Sequence, residues 1–138
     1  DPHGGNLNSG NFPHRVQALD ENFILLKRSS NPGVSCDLQG FHMYGLDLCL
    51  QAAIRGYHAY VVDFHLTHIG KGNRDASFHQ QRQALIEKYQ KAFAPAWLQT
   101  TCTSLFVSGS RRLNTWLNRP TQIKWAKSIF KRRFKSNK

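Results

Sequence analysis

The stretch at residues 40–71, GFHMYGLDLCLQAAIRGYHAYVVDFHLTHIGK, decides the predicted fold. Apolar side chains recur in it at helical spacing: Leu46, Cys49, Leu50, Ala53 and Tyr57. This stripe, with Gly56 near its end, predicts a helix that carries Asp47 at the edge of its apolar face. The β-branched and aromatic run AYVVDF at residues 59–64 predicts a buried strand, and His68 follows it. Because chemistry in α/β proteins collects where strands end, Asp47 and His68 are the first candidates for a functional role.

The sequence around this stretch predicts further strands and helices of an α/β fold. The apolar run FILL at residues 23–26 is short enough for a buried strand. A helical period at residues 77–93 predicts a helix with Ser77 as its N-cap. Residues 100–107 suit an extended strand, and residues 111–138 suit two short basic amphipathic helices interrupted by a proline.

Charge is distributed unevenly along the 138 residues, whose net charge is +11. Residues 1–87 hold all eight acids against seven Lys and Arg, whereas residues 88–138 hold twelve Lys and Arg and no acid. The excess charge therefore belongs to the C-terminal third. Interleaved Trp and Phe leave two partners open for this segment, an anionic membrane surface and, less favoured, nucleic acid. A basic face that is simply solvated is the third interpretation.

Composition and cysteine usage limit the class of protein. A hydrophobic content of 40% with 12% aromatic residues indicates a globular domain, and no apolar run approaches the roughly 18 residues that span a bilayer. The cysteines are odd in number and form no C-x-x-C pair: Cys36, Cys49 and Cys102. This usage favours reduced thiols over a disulfide framework or a zinc site. We therefore expect a cytoplasmic protein, and peripheral contact with the inner membrane through the basic segment is one of the interpretations left open above.

The run YGLDLCLQA at residues 44–52 resembles the carboxyl half of family 2 type bacterial glycosyltransferases. It follows an acidic pair at residues 20–21 and an aromatic loop, and it precedes His68, so the resemblance covers residues 16–93. It implies a partial GT-A-like α/β sandwich that transfers a sugar from a nucleotide-sugar to a saccharide or lipid-linked acceptor. The upstream half of that family, with its Asp-x-Asp motif, is absent from these residues. We therefore expect the chain to supply the acceptor half and to be inactive alone.

The same resemblance implies a role for each candidate residue. Asp47 would act as the catalytic base that takes the proton of the acceptor hydroxyl, and His68 would help to hold a divalent cation, Mn²⁺ or Mg²⁺. Lys71 and Arg74, on the loop after His68, would close over the diphosphate. The residues expected on the acceptor side are Asp20, Glu21, His42 and Tyr44.

These expectations divide the chain into three segments. They are a flexible lead-in at residues 1–15, the acceptor-side half of a transferase-like domain at residues 16–110, and a basic helical tail at residues 111–138. The alternative is a non-enzymatic basic module that binds nucleic acid or an anionic membrane. In that interpretation Asp47 complements the positive end of its helix dipole, and His68 is structural.

Overall fold

The computed structural model describes residues 11–30, 33–64 and 74–136, with side chains up to residue 129. Within these ranges the chain is a mixed α/β protein with four helices and two small sheets. The helices are α1 (Tyr44–Ile54), α2 (Ala76–Tyr89), α3 (Arg111–Leu117) and α4 (Pro120–Ser136), and a short 3-10 turn covers Arg28–Ser30. The predicted α/β class is confirmed. The two small sheets do not establish the predicted GT-A-like sandwich.

Each sheet consists of two antiparallel strands. The strands are β1 (His14–Val16), β2 (Ala59–Val61), β3 (Ala96–Gln99) and β4 (Ser104–Val107). β1 pairs with β2, and β3 pairs with β4, so that Trp97 lies opposite Phe106 with ring centroids 5.5 Å apart. All four residues of β4 are buried, whereas none of the three residues of β2 is. The second sheet therefore belongs to the interior, and the first lies at the surface.

The hydrophobic core is one cluster of side chains from α1, α2 and both strands of the second sheet, with Leu38 and Met43 from the chain before α1. Its most enclosed members are Leu46, Leu85, Ile86, Leu105 and Val107, each no more than 2% exposed. Full burial of one such aliphatic side chain is worth about 1.5–3 kcal/mol relative to an exposed one. This cluster therefore holds the two central helices against the second sheet.

Gly45 allows the chain before α1 to approach the helix closely. A Cβ atom at this position would lie 2.7 Å from the carbonyl oxygen of Leu19, a distance that side chains do not tolerate. The absent side chain therefore lets residues 19–21 rest against the first turn of α1. This contact brings Glu21 to the start of the helix.

The predictions for residues 23–26 and for the N-cap of α2 are wrong. Residues 23–26 were predicted as a buried strand, but they have no regular secondary structure, and Phe23 and Leu25 are 54% and 79% exposed. An apolar run indicates that burial would be favourable, but it does not determine whether another segment of the chain packs over it. The N-cap of α2 is Asp75 instead of Ser77, because the carboxylate accepts hydrogen bonds from the Phe78 amide and from the Ser77 hydroxyl. A carboxylate also complements the helix dipole, which a hydroxyl does not.

The other predicted elements are confirmed with shifted bounds. The helix predicted before Gly56 is α1, and Gly56 adopts a left-handed φ of 79°. The strand predicted at residues 59–64 is regular only in β2, and its predicted burial is wrong, because no residue of β2 is buried and Val62 and Phe64 are 56% and 61% exposed. The strand predicted at residues 100–107 is regular only in β4. The basic segment forms two helices, as expected. None of the helices in the described part of the chain has both the length and the apolar composition that a bilayer crossing requires.

Candidate functional site

The side chain of Asp47 lies at the centre of a buried polar cluster, although the sequence placed it at the edge of an apolar stripe. It is 0% exposed, and donors surround both carboxylate oxygens. Oδ1 accepts hydrogen bonds from the Tyr89 hydroxyl at 2.6 Å and lies 3.3 Å from the Lys88 ammonium. Oδ2 accepts from the Ser35 hydroxyl at 2.7 Å and from Nε2 of Gln51 at 2.8 Å. We call these five residues the Asp47 centre.

The protonation states within the Asp47 centre follow from its partners. Burial raises the pKa of Asp47, but the hydrogen bonds from Tyr89, Ser35 and Gln51 and the charge of Lys88 outweigh it, so the net pKa lies below the ordinary value. Burial lowers the pKa of Lys88, but the carboxylates of Asp37 and Asp47 raise it by more, so the net pKa lies above the ordinary value. Burial and the Asp47 carboxylate raise the pKa of the Tyr89 phenol. At neutral pH the centre therefore contains a carboxylate, an ammonium and a neutral phenol.

This arrangement ties three segments of the chain together around one fixed negative charge. Asp47 and Gln51 come from α1, Lys88 and Tyr89 from α2, and Ser35 from the loop before α1. Every group that faces the carboxylate is a donor, so its lone pairs are occupied by the protein itself. The role of Asp47 as a catalytic base stays a prediction, and the geometry is that of a satisfied structural anion.

A second, smaller cluster gathers predicted acceptor-side residues at the start of α1. The Tyr44 hydroxyl donates to the carbonyl oxygen of Glu21 at 2.6 Å, and the Gly45 amide donates to the Glu21 carboxylate at 3.3 Å. Burial raises the pKa of Glu21, with Gly45 and His42 opposing it. Asp20 is exposed and accepts from the Glu21 amide at 3.0 Å. The structure thus brings these residues close together, while their acceptor-side roles stay predictions.

The remaining predicted site residues are more scattered. His42 lies 3.9 Å from the Asp75 carboxylate, and its ring packs edge-on against Phe78 of α2. Arg74 is exposed just before α2. His68 and Lys71, predicted for metal and diphosphate, lie outside the described residues. Within the described residues, no group of three His, Cys, Asp or Glu side chains could hold a metal ion.

Several large apolar side chains are exposed in the segment before α1 and in β2 and the residues after it. They are Phe23 at 54%, Leu25 at 79%, Tyr60 at 49%, Val62 at 56% and Phe64 at 61%. The Phe23 and Phe64 rings lie 5.6 Å apart, so the segment before α1 meets the segment that follows β2. We call these five residues the ribbon surface.

A basic and aromatic depression lies on α3 and the turn after it. Its lining consists of Arg111, Arg112, Thr115, Trp116 and Arg119, which we call the α3 groove. All five residues are exposed, and Trp116 retains 49% of its accessible surface. The spacing places these side chains on neighbouring turns of one helix.

Most of the partners of Asp47 have no signal in the local sequence. Gln51 alone carried a local signal, because it lies one helical turn after Asp47, at the spacing where Gln and Asp side chains meet. Tyr89 lies within the helical period at residues 77–93, and it is 42 residues from Asp47. No periodicity connects positions that far apart.

No family model matches this chain. A curated relative from Fuscovulum blasticum, named ATP synthase subunits region ORF 6, is 47% identical over 93 residues. These residues make up 67% of this chain and 37% of the relative, so the chain spans little more than a third of the relative's length.

This relative overturns the glycosyltransferase assignment. Its name refers to the region of ATP synthase subunits and not to a glycosyltransferase, so the predicted family, the transfer reaction and the nucleotide-sugar and saccharide partners are wrong. The alternative, a basic module for nucleic acid or an anionic membrane, gains no support from the relative either. The metal-binding character is not borne out among the described residues. The three predicted segments of the chain stay a prediction.

Proposed function

We propose that this chain is a protein-interaction component that associates with subunits of the ATP synthase through the ribbon surface. The observation that carries the proposal is the exposure of five large apolar side chains in the segment before α1 and in β2 and the residues after it, from 49% for Tyr60 to 79% for Leu25. Exposed apolar side chains that lie against each other, as the Phe23 and Phe64 rings do, are typical of protein interfaces.

The composition of the ribbon surface suits a protein partner. Three of its members are aromatic, and aromatic side chains are enriched at the centres of protein interfaces. Phe23 and Phe64 already contact each other, so part of the surface is ordered before a partner arrives. Preorganisation of this kind lowers the entropy cost of association. The sheet beneath it has only two short strands, which gain little stability alone.

The identity of the partner is suggested by the relative. A protein that is 47% identical over 93 residues is named after the ATP synthase subunits region. The match covers 37% of that relative, so association with ATP synthase subunits is proposed for this chain and is not transferred from the whole relative. The predicted cytoplasmic location belongs to the same proposal, and the cysteines of the described residues, which are all free, agree with it.

The test is binding of the immobilised full chain to ATP synthase purified from the same cells, measured by surface plasmon resonance. The variant Leu25→Glu/Phe64→Glu should weaken binding at least tenfold, on the order of the effect of losing interface hot spots. Both side chains are exposed, so the free variant should keep its far-UV circular dichroism spectrum.

The matched control is Phe41→Glu. Phe41 is 78% exposed, but its ring contacts His42 and Tyr44 and lies outside the ribbon surface as defined. This variant should bind like the wild type. Absence of binding by the wild-type chain would overturn the proposed partner, and equal loss in both variants would overturn the proposed surface.

A further inference from the structure

The α3 groove combines three cations with one exposed indole. Arg112, Trp116 and Arg119 follow each other at spacings of four and three residues, so they form one stripe along the helix and the turn after it. Arg111 and Thr115 complete the lining on the adjacent side. Arg and Trp are the side chains most enriched among residues that dominate binding energy in protein interfaces.

The charges of the α3 groove are not neutralised by the rest of the chain that the structure describes. None of the three arginines forms an ion pair there, and residues 88–138 contain no acid at all. Glu87 lines a neighbouring depression together with Arg111, so an acid approaches the groove from one side only. Arg112 and Arg119 line the α3 groove but not the depression that Glu87 lines.

The exposure of Trp116 favours a binding surface over a basic face that is simply solvated. It is 49% exposed, and Leu113 on the preceding turn is 45% exposed. A basic segment that served only solubility would gain nothing from exposed apolar side chains of this size. The indole offers a flat apolar face beside two guanidinium groups, which can hold carboxylates in bidentate fashion.

We propose that the α3 groove binds an acidic segment of a protein partner, in which Asp or Glu side chains pair with Arg112 and Arg119 and an apolar side chain packs on Trp116. Charge complementarity favours this occupant, because the groove is cationic and the proposed segment supplies the carboxylates that the C-terminal third lacks. The identification of that partner as an ATP synthase subunit rests on the proposed function. The chemistry of the groove does not depend on it.

The first experiment uses a short fluorescein-labelled Glu/Leu peptide and the full chain, with a Lys/Leu peptide of equal length as the probe control. Fluorescence anisotropy should show binding of the acidic peptide only. The variant Arg112→Glu/Arg119→Glu should weaken it by about tenfold or more, as expected for the loss of two charged anchor residues. The variant Trp116→Ala should weaken it about fivefold.

Two matched variants separate the site from general charge and general aromaticity. Lys27→Glu/Arg28→Glu makes the same change in net charge at exposed positions of another segment, and Trp125→Ala removes an indole that is 55% exposed on α4. Both should bind the acidic peptide within about twofold of the wild type, since charge far from an interface acts mainly through screened long-range attraction. Equal losses in the groove variants and in these controls would overturn the proposal.

The second experiment measures binding of the same variants to purified ATP synthase. Loss of binding in Arg112→Glu/Arg119→Glu, with retention in Trp125→Ala, is the expected result. If the wild type binds the enzyme and the groove variant binds equally well, the groove proposal fails and the proposed function stands. If the wild type does not bind the enzyme but binds the acidic peptide, the proposed function is wrong and the groove proposal holds. Binding to phosphatidylglycerol vesicles without binding to the peptide would make the occupant a lipid surface and overturn the proposal.

Discussion

The Asp47 centre and the ribbon surface invert the usual relation between polarity and burial. Asp47 is a charged side chain that is 0% exposed, whereas Leu25 is an aliphatic side chain that is 79% exposed. The burial of the carboxylate is balanced by four donor side chains within 3.3 Å. The exposed surface of Leu25 is in contact with water, and a partner that covers it would remove apolar surface from water.

This difference separates the part of the molecule that stabilises the fold from the part that is available to a partner. Removing a member of the Asp47 centre leaves buried groups without their partner, which is costly. Changing a member of the ribbon surface alters a side chain that already contacts water. We therefore expect stability to depend strongly on the first region and binding to depend strongly on the second.

The largest effect on stability is expected for Asp47→Ala. This change leaves the Lys88 ammonium, the Tyr89 hydroxyl and Gln51 without their common acceptor. The free energy of unfolding should fall by about 3 kcal/mol or more, the range seen when one partner of a buried ion pair is removed. Urea denaturation at pH 7 measures it. A loss below about 1 kcal/mol would show that the centre contributes no more than a surface ion pair.

The variant Tyr89→Phe should have a smaller effect, because it removes one donor and keeps the ring in the core. The 2.6 Å hydrogen bond from the Tyr89 hydroxyl to Oδ1 of Asp47 is lost. Hydrogen bonds to charged groups contribute about 1.5–3 kcal/mol, so a loss within this range is expected in the same denaturation experiment. An unchanged midpoint would mean that this bond does not stabilise the fold.

The pH dependence of unfolding tests whether Asp47 is ionised in the folded protein and stabilises it in that form. Because the pKa of folded Asp47 is lower than that of the unfolded chain, the stabilisation is fully present above the unfolded value of about 3.9 and is lost as the pH falls through the lower folded value. The wild type should therefore lose stability steeply below about pH 4. The Asp47→Asn variant has no titrating group at position 47, so its curve of stability against pH should be flatter in that window. Parallel curves for both proteins would contradict the assignment.

The smallest expected effect on stability is that of the ribbon variant Leu25→Glu/Phe64→Glu. Both side chains are mostly exposed, and surface substitutions usually change stability by no more than about 0.5 kcal/mol. The same variant should lose binding to ATP synthase, whereas Tyr89→Phe should keep it at temperatures where it is folded. A ribbon variant that unfolds readily would show that this surface supports the fold, and the contrast between the two regions would disappear.

Part of this structure could be predicted from the sequence because it depends on local patterns. The helical stripe at Leu46, Cys49 and Leu50 is buried as its spacing predicts, and Gly56 ends α1 in a conformation that glycine adopts readily. The acid-free composition of residues 88–138 also indicated a basic surface before its shape was known. The resemblance at residues 44–52 led to a wrong family, because a short run of side chains on one helix specifies a helix face better than it specifies an activity.

By itself, the sequence determined the α/β class, the approximate positions of the helices and the location of the excess positive charge. These properties follow from composition and from periods of two to four residues, which act within a single element. Only the tertiary structure decided that Asp47 is enclosed by Ser35, Lys88 and Tyr89, and that the apolar run at residues 23–26 stays exposed. Both outcomes depend on which distant segment packs against each position, and side chains 41 or 42 residues apart share no local pattern that reveals their contact.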